Sequence, residues 1–94
     1  MFNTPTQIAV SVDERNNRSV LELIAGDRPG LLCDIGKVLM EERIELRAAK
    51  IMTVGERAED VFYVTDYENR PLDEPAAQRL KSRLTQALDR RQAA

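Results

Sequence analysis

The six-residue run Asp27-Arg28-Pro29-Gly30-Leu31-Leu32 marks an abrupt change from strand-like alternation to helical periodicity. Residues 19–25 before it alternate in hydropathy, and the apolar residues after it recur at helical spacing. Proline favours the first position of a helix, because its ring fixes φ and no N–H is needed there, so we expect the helix to begin at Pro29. The run therefore predicts a tight strand-to-helix turn that ends at a helix N-terminus.

This turn has two interpretations. Gly30 leaves the backbone bare, and a helix N-terminus offers unpaired N–H groups and a partial positive charge, which suit a carboxylate or a phosphate. Alternatively, Pro29 and Gly30 simply make a tight connection between a strand and a helix. Local chemistry alone leaves both open.

Alternating residues predict two strands before the turn. Residues 7–13 place Ile8, Val10 and Val12 on one face. Asparagine tolerates positive φ, so Asn16-Asn17 predicts a hairpin turn. The return strand, residues 19–25, carries a second apolar face formed by Leu21, Leu23 and Ala25.

Two segments show helical spacing. The first, from Pro29 to about Glu42, has a core-facing stripe of Leu31, Leu32, Ile35, Val38 and Leu39. The second begins at Glu74 or Pro75, with Asp73 or Glu74 as its cap, and ends near Arg90. Its inward residues are Ala77, Leu80, Leu84, Ala87 and Leu88.

Two more strands lie between the helices. Residues 44–54 alternate with a slip near Ala48-Ala49, which predicts a bulge, and residues 58–65 place Phe62 and Val64 inward. The order ββαββα predicts an α+β, ferredoxin-like domain, with a four-stranded antiparallel sheet and two helices on one face. The N-terminal strand takes the place usually held by a C-terminal one. Residues 7–91 form the domain, with tails at residues 1–6 and 92–94.

Composition narrows the function. The 94 residues include no histidine and one cysteine, and the net charge is -2. Ser-His-Asp catalysis and multi-cysteine zinc sites are therefore excluded, and we expect neither a catalytic nor a metal site. The charge provides no overall attraction to nucleic acid or to an anionic membrane, and no apolar run approaches the ~20 residues of a membrane span. A reducing cytoplasm is the expected location.

Three stretches together resemble a known family. They are Leu21-Glu22-Leu23 followed by the Asp27–Leu32 run and Ile35, Ala48-Ala49-Lys50-Ile51-Met52-Thr53, and the stretch from Gly55 to Asp66. From about Val10 to Arg90 the chain resembles ACT domains, which are small ligand-sensing regulatory modules. It looks closest to the C-terminal ACT domain of bacterial bifunctional uridylyltransferase/uridylyl-removing enzymes, which modify the PII signal protein.

The resemblance implies a glutamine sensor of nitrogen regulation. Such a domain binds glutamine or another small amino acid, contacts neighbouring domains of its parent chain and pairs side by side with another ACT domain. Catalysis, with Mg2+ and UTP, would belong to other domains of the parent. The resemblance therefore implies no enzymatic activity and no cofactor for this chain.

The resemblance also implies which residues bind. Asp27 would meet the ammonium of the amino acid, Arg28 belongs to the same turn, and backbone N–H groups near Gly30, Leu31 and Leu32 would take the carboxylate. Lys50, Met52 and Thr53 would belong to a ligand-lined interface between paired domains. Asp27 alternatively shapes the turn or interacts with the helix N-terminus, and Arg28 alternatively is a solvated charge. Lys50 alternatively belongs, with Glu45 and Arg47, to a solvated edge-strand pattern that discourages aggregation.

Other functional classes compete with the sensor. The first alternative is a ligand-free structural or dimerisation module of the same family. A phosphatase-like enzyme of this topology would need a glycine-rich phosphate loop with an arginine and a catalytic asparagine, which the sequence lacks. An RNA-binding module would need exposed aromatic residues and a basic sheet face, but aromatic residues make up 4% of the chain.

Two further expectations concern exposure. Glu56, Arg57, Glu59 and Asp60 form a charged hairpin tip, which we expect to be solvent-exposed, with contact to a partner as the alternative. Cys33 lies beside the helical stripe, which predicts a neutral, partly buried thiol.

Overall fold

The computed structural model describes residues 4–93, with side chains for residues 4–89. The strands are β1 (Gln7–Asp13), β2 (Arg18–Gly26), β3 (Glu45–Lys50), β4 (Thr53–Val54) and β5 (Arg57–Thr65), and the helices are α1 (Leu31–Glu41) and α2 (Glu74–Ala93). Residues 1–3 and 94 of the predicted tails lie outside the described range.

The sheet is antiparallel and has the predicted order. Its four main strands run β1-β2-β5-β3, so β5 fills the gap between β2 and β3. The N-terminal strand pairs with β2 along its whole length, from Gln7 opposite Ile24 to Asp13 opposite Arg18. The α+β, ferredoxin-like prediction is confirmed, and β1 occupies one edge of the sheet.

The β1–β2 hairpin closes through local polar contacts. Asn16 donates to the Asp13 carboxylate from its backbone N–H (3.3 Å) and from its side-chain amide (2.8 Å). Asn17 follows with φ of 55°, in the left-handed region that asparagine tolerates. The hairpin predicted at Asn16-Asn17 is therefore present.

One apolar core lies between the sheet and the helices. Leu21 and Leu23 of β2 and Val64 of β5 are each no more than 1% exposed. Leucines 80, 84 and 88 of α2 are completely buried, at the four-residue spacing that places them on one helical stripe. Because each buried leucine contributes about 1.5–3 kcal/mol, this stripe anchors α2 to the sheet.

The start of α1 differs from the prediction. The helix begins at Leu31 instead of Pro29, because Gly30 has φ of 84° and cannot belong to a right-handed helix. Pro29 therefore lies in the turn. Leu32 is 50% exposed and lies outside the core stripe.

The strand predicted at residues 44–54 is interrupted. β3 and β4 lie one after the other along β5, separated by Ile51 and Met52. The bulge occurs between Leu46 and Ala48, slightly before the predicted position. At the second helix, Asp73 Oδ1 accepts from Ala76 N (2.9 Å), which confirms Asp73 as the cap.

Candidate functional site

A cleft of about 330 Å³ opens between the start of α1 and the segment that links β3 to β5. The turn and α1 contribute Asp27, Arg28, Gly30, Leu31, Leu32 and Cys33, and the opposite side contributes Ile51, Thr53, Ala58 and Asp60. The volume lies near the lower end of the range of about 300–1,000 Å³ that is typical of small-molecule sites.

The turn is held in place by both backbone and side-chain contacts. Asp27 N donates to Glu56 O (2.9 Å), which ties the turn to the loop between β4 and β5. Arg28 Nη2 donates to Asp34 Oδ2 (2.9 Å), and the Arg28 side chain is 18% exposed. The interpretation of Arg28 as a solvated charge is therefore wrong, since Arg28 braces the turn against α1.

The first N–H groups of α1 lie beside the cleft. Leu31 N donates to Arg28 O (3.3 Å) and Asp34 N to Gly30 O (2.9 Å). The N–H groups of Leu32 and Cys33 belong to the first turn of α1, where the helix has no preceding turn of its own to supply carbonyl acceptors. Together with the helix dipole, they favour a negatively charged group at this end of the cleft.

The opposite wall is attached to β5 through a short segment. Glu59 N donates to Met52 O (2.9 Å), and Met52 N donates to Asp60 Oδ1 (3.2 Å). Thr53 and Ala58 then pair at the start of β5. These contacts replace regular β3 pairing at Ile51 and Met52, and they bring the Asp60 carboxylate to the cleft wall.

Asp60 is the residue that sequence reasoning missed. It is 2% exposed, so the expectation of a solvent-exposed charge is wrong for this member of the hairpin tip. Strand alternation places it on the same face as Phe62 and Val64, which were predicted to point inward, so the two-residue period carried the signal. The charges around it obscured that signal.

Burial changes the acidity of Asp60. Loss of hydration raises the pKa of its carboxyl group, the hydrogen bond from Met52 N lowers it, and the nearby Asp27 carboxylate raises it further. The net shift is upward, toward the protonated form. A cation or an N–H donor entering the cleft would reverse this shift and favour the carboxylate.

Two buried polar atoms of the cleft residues have no hydrogen-bond partner within the described part of the chain. They are Asp60 Oδ2, an acceptor, and Arg28 Nε, a donor. Native proteins pair most buried polar atoms, so an unpaired atom in a cleft calls for an explanation. An acceptor on one wall and a donor on the other complement a ligand that carries both an ammonium and a carboxylate.

The structure brings together most of the residues predicted to bind. Six of them line the cleft: Asp27, Arg28, Gly30, Leu31, Leu32 and Thr53. Met52 acts through its backbone, and Lys50 pairs opposite Val61 on the sheet face away from the helices. Cys33 lines the cleft but is exposed, so the expectation of a partly buried thiol is wrong. Direct binding by these residues stays a prediction.

The strand edge next to the cleft is open to solvent. Every residue of β3 is exposed, and β3 pairs with β5 on one side. Along this edge and its continuation, Leu46, Ile51, Met52 and Val54 are 44–58% exposed. Unpaired backbone groups beside apolar side chains favour pairing with another strand.

No helix within residues 4–93 combines the length and the apolar character needed to cross a membrane. Across the same residues, histidine, cysteine and acidic side chains form no group of three or more that could hold a metal ion.

A family model described as the ACT domain matches residues 19–84. The chain belongs to the ACT domain family. The match begins at β2 and includes the turn, both walls of the cleft and Asp60, whereas β1 lies before it. The unusual N-terminal edge strand is therefore outside the matched part of this ACT domain.

The relatives of this ACT domain include much longer proteins named bifunctional uridylyltransferase/uridylyl-removing enzyme. The protein from Methylococcus capsulatus is 54% identical over 72 residues, which are 77% of this chain and 8% of the relative. Those from Pseudomonas putida W619 and Pseudomonas syringae pv. tomato are 46% and 48% identical over 87 residues, 93% of this chain and 9% of each relative. The chain is thus an ACT regulatory domain similar to that of these enzymes.

Proposed function

We propose that this ACT domain binds a free amino acid, glutamine first of all, in the cleft between the turn and the segment linking β3 to β5. The observation that carries the proposal is a pair of buried atoms, Asp60 Oδ2 and Arg28 Nε, which have no hydrogen-bond partner among the described residues and belong to residues of one cleft. An α-amino acid presents one cationic and one anionic group at close range. The helix N-terminus adds a further attraction for the carboxylate.

Binding would regulate a larger enzyme. The chain spans 8–9% of the relatives it matches, so a ligand signal has to reach catalytic domains elsewhere in such a protein. Glutamine would shift the balance between uridylylation and uridylyl removal in nitrogen regulation if it binds one arrangement of the domains more tightly than another. Millimolar affinity, about 4 kcal/mol, suffices for an abundant metabolite in the cytoplasm.

Titration of the 94-residue chain with glutamine, followed by NMR, tests the proposal. We expect shifts confined to the turn, the start of α1 and Ile51–Asp60, with glutamate and serine as comparison ligands. Absence of shifts with glutamine at several millimolar would contradict glutamine binding by this domain.

A pair of charge variants locates the site. Leu32→Glu places a carboxylate at the cleft mouth, where it repels the ligand carboxylate, and we expect at least about a fivefold loss of affinity. Met40→Glu makes the same change on an exposed residue at the other end of α1 and should leave affinity unchanged. Equal effects of the two substitutions would show that binding occurs elsewhere.

The exposed β3 edge favours a second candidate function, a dimerisation module. Open backbone groups and the partly exposed Leu46 suit side-by-side pairing with another copy, which would extend the sheet. This function needs no ligand in the cleft. The oligomeric state of an edge variant, described below, tests it.

A further inference from the structure

Asp60 occupies an unusual position for a charged residue. It lies on β5 opposite Leu23 of β2, with Ala58 and Phe62 as the next inward residues on its own strand. It is 2% exposed and lines the cleft. One carboxylate oxygen accepts from Met52 N (3.2 Å), and the other is buried without a partner among the side chains and backbone that the structure describes.

Such an arrangement destabilises the domain when no ligand is bound. A buried carboxylate oxygen loses its hydrogen bonds to water, and here no hydrogen bond within the described residues replaces them. Arg28, which also lines the cleft, is already paired with Asp34 at 2.9 Å. An incoming N–H donor would restore the missing contact.

We propose that Asp60 accepts the ammonium group of the bound amino acid and thereby selects ligands that carry a free primary amine. This assignment rests on the proposed function, amino-acid binding in the cleft. It differs from the expectation that Asp27 meets the ammonium. The class of ligand it predicts is an α-amino acid, discriminated from its 2-oxo and N-acyl analogues.

Burial distinguishes Asp60 from Asp27. Both carboxylates line the cleft, but Asp27 is exposed and remains hydrated. Charges attract more strongly where water is excluded, so an ammonium gains more from the buried carboxylate than from the solvated one. The raised pKa of Asp60 is consistent with this role. A bound ammonium group would favour the ionised carboxylate, so the Asp60 carboxyl group would release a proton when the ligand binds.

Calorimetric titration of the 94-residue chain and two variants tests the assignment. In Asp60→Asn, the side-chain oxygen still accepts from Met52 N, but an amide N–H2 replaces the unpartnered acceptor. We expect at least about a tenfold loss of glutamine affinity in Asp60→Asn and less than about a threefold loss in the matched variant Asp27→Asn. N-acetylglutamine and the 2-oxo analogue of glutamine should not bind the unmodified chain.

The outcomes separate this assignment from glutamine sensing. Unchanged affinity in Asp60→Asn, or a larger loss in Asp27→Asn, overturns the role of Asp60 while amino-acid binding stands. If glutamine does not bind but another amino acid does, with a loss in Asp60→Asn, the assignment stands and glutamine sensing falls. Failure of all common amino acids at 10 mM refutes both.

A measurement on the unmodified chain covers the case in which Asp60→Asn does not fold. The carboxyl carbon resonance of Asp60 is followed by NMR at a pH where this carboxyl group is partly protonated in the ligand-free protein. When glutamine is added, the resonance should move to the position of the ionised carboxylate. A resonance that does not move on saturation would overturn the assignment.

Discussion

Arg28 and Asp34 are joined by a 2.9 Å contact between Nη2 and Oδ2 that links the turn to the first turn of α1. Both side chains are largely shielded, at 18% and 23% exposure. The contact fixes the guanidinium whose Nε is buried without an acceptor within the described residues. The same pair therefore stabilises the turn and orients a donor group of the cleft.

Breaking this pair should lower stability more than breaking an exposed one. We expect Arg28→Gln to reduce the free energy of unfolding by about 1 kcal/mol, because a shielded, charge-assisted hydrogen bond is lost. Glu59→Gln weakens the more exposed contact with Arg57 and should cost less than about 0.5 kcal/mol. Urea unfolding of both variants makes the comparison, and equal losses would contradict it.

Two glycines should respond to alanine in opposite directions. Gly30 has φ of 84°, so Gly30→Ala should destabilise the domain by about 1–2 kcal/mol. Gly36 lies inside α1, where an added Cβ meets no heavy atom within 4 Å, so Gly36→Ala should stabilise it by about 0.5–1 kcal/mol. Thermal unfolding measures both, and a stable Gly30→Ala variant would show that the left-handed conformation is dispensable.

Ser19 should be essential for docking the segment before α2. Its hydroxyl, 1% exposed, accepts from Leu72 N (2.9 Å), and Ser19→Ala leaves that buried N–H unpaired. We expect a loss of about 1–3 kcal/mol in urea unfolding. Ser11→Ala, on exposed β1, is the matched control and should change stability by less than about 0.5 kcal/mol. A Ser19→Ala variant as stable as this control would refute the role of the hydrogen bond.

Asp60 predicts an unusual dependence of stability on pH. Its folded pKa is raised, so between its unfolded and folded pKa values the native state binds more protons than the unfolded state. This contribution is fully present below the unfolded pKa and is lost as pH rises through the folded pKa. The unmodified chain should therefore lose stability relative to Asp60→Asn as pH rises from below the unfolded pKa of this carboxyl group through its raised folded pKa.

Unfolding free energies of the unmodified chain and of Asp60→Asn, measured across this pH range, test whether the Asp60 contribution to stability falls as pH rises. The other charged groups of the cleft are Asp27, whose carboxylate adds to the shift, and Arg28, which is paired with Asp34. Asp27→Asn should reduce the loss of stability without abolishing it. A constant difference between the unmodified chain and Asp60→Asn would contradict the raised pKa.

The β3 edge gives a prediction about assembly. If copies pair along this edge, a charge at Leu46 should oppose association, because lysine on an edge strand disfavours pairing. We expect Leu46→Lys to lower the dimer fraction in analytical ultracentrifugation, with Met40→Lys on α1 as the matched control. A dimer that withstands Leu46→Lys would contradict pairing along β3.

The sequence predicts the parts of the fold that depend on the periodicity of apolar residues in strands and helices. Alternation located β1 and the inward face of β2, and the leucines at positions 80, 84 and 88 located α2. Hairpin pairing and strand order followed from these elements because few arrangements bury all their apolar faces.

The errors arose where one local signal had two meanings. Pro29 suits a helix start as well as a turn. Because Gly30 adopts a left-handed conformation, the helix cannot include it, and Pro29 lies in the turn. The charged neighbours of Asp60 predict an exposed side chain, whereas its position on the inward face of the strand buries it. The contacts between Arg28 and Asp34 and between Met52 and Asp60 depend on tertiary geometry, so no spacing rule predicts them.

The short segment that carries Met52 has a kinetic consequence. Two hydrogen bonds to Glu59 and Asp60 and the two-residue β4 hold this wall, whereas β2 and β5 pair over eight positions. Opening the wall therefore breaks far fewer contacts than unfolding the sheet, so its amides should exchange with solvent at a much lower free energy than those of the central strands. A ligand that bridges the cleft would slow this exchange and leave the core amides unchanged. Ligand binding would then change how often the segment around Met52 opens, without any change in the average fold.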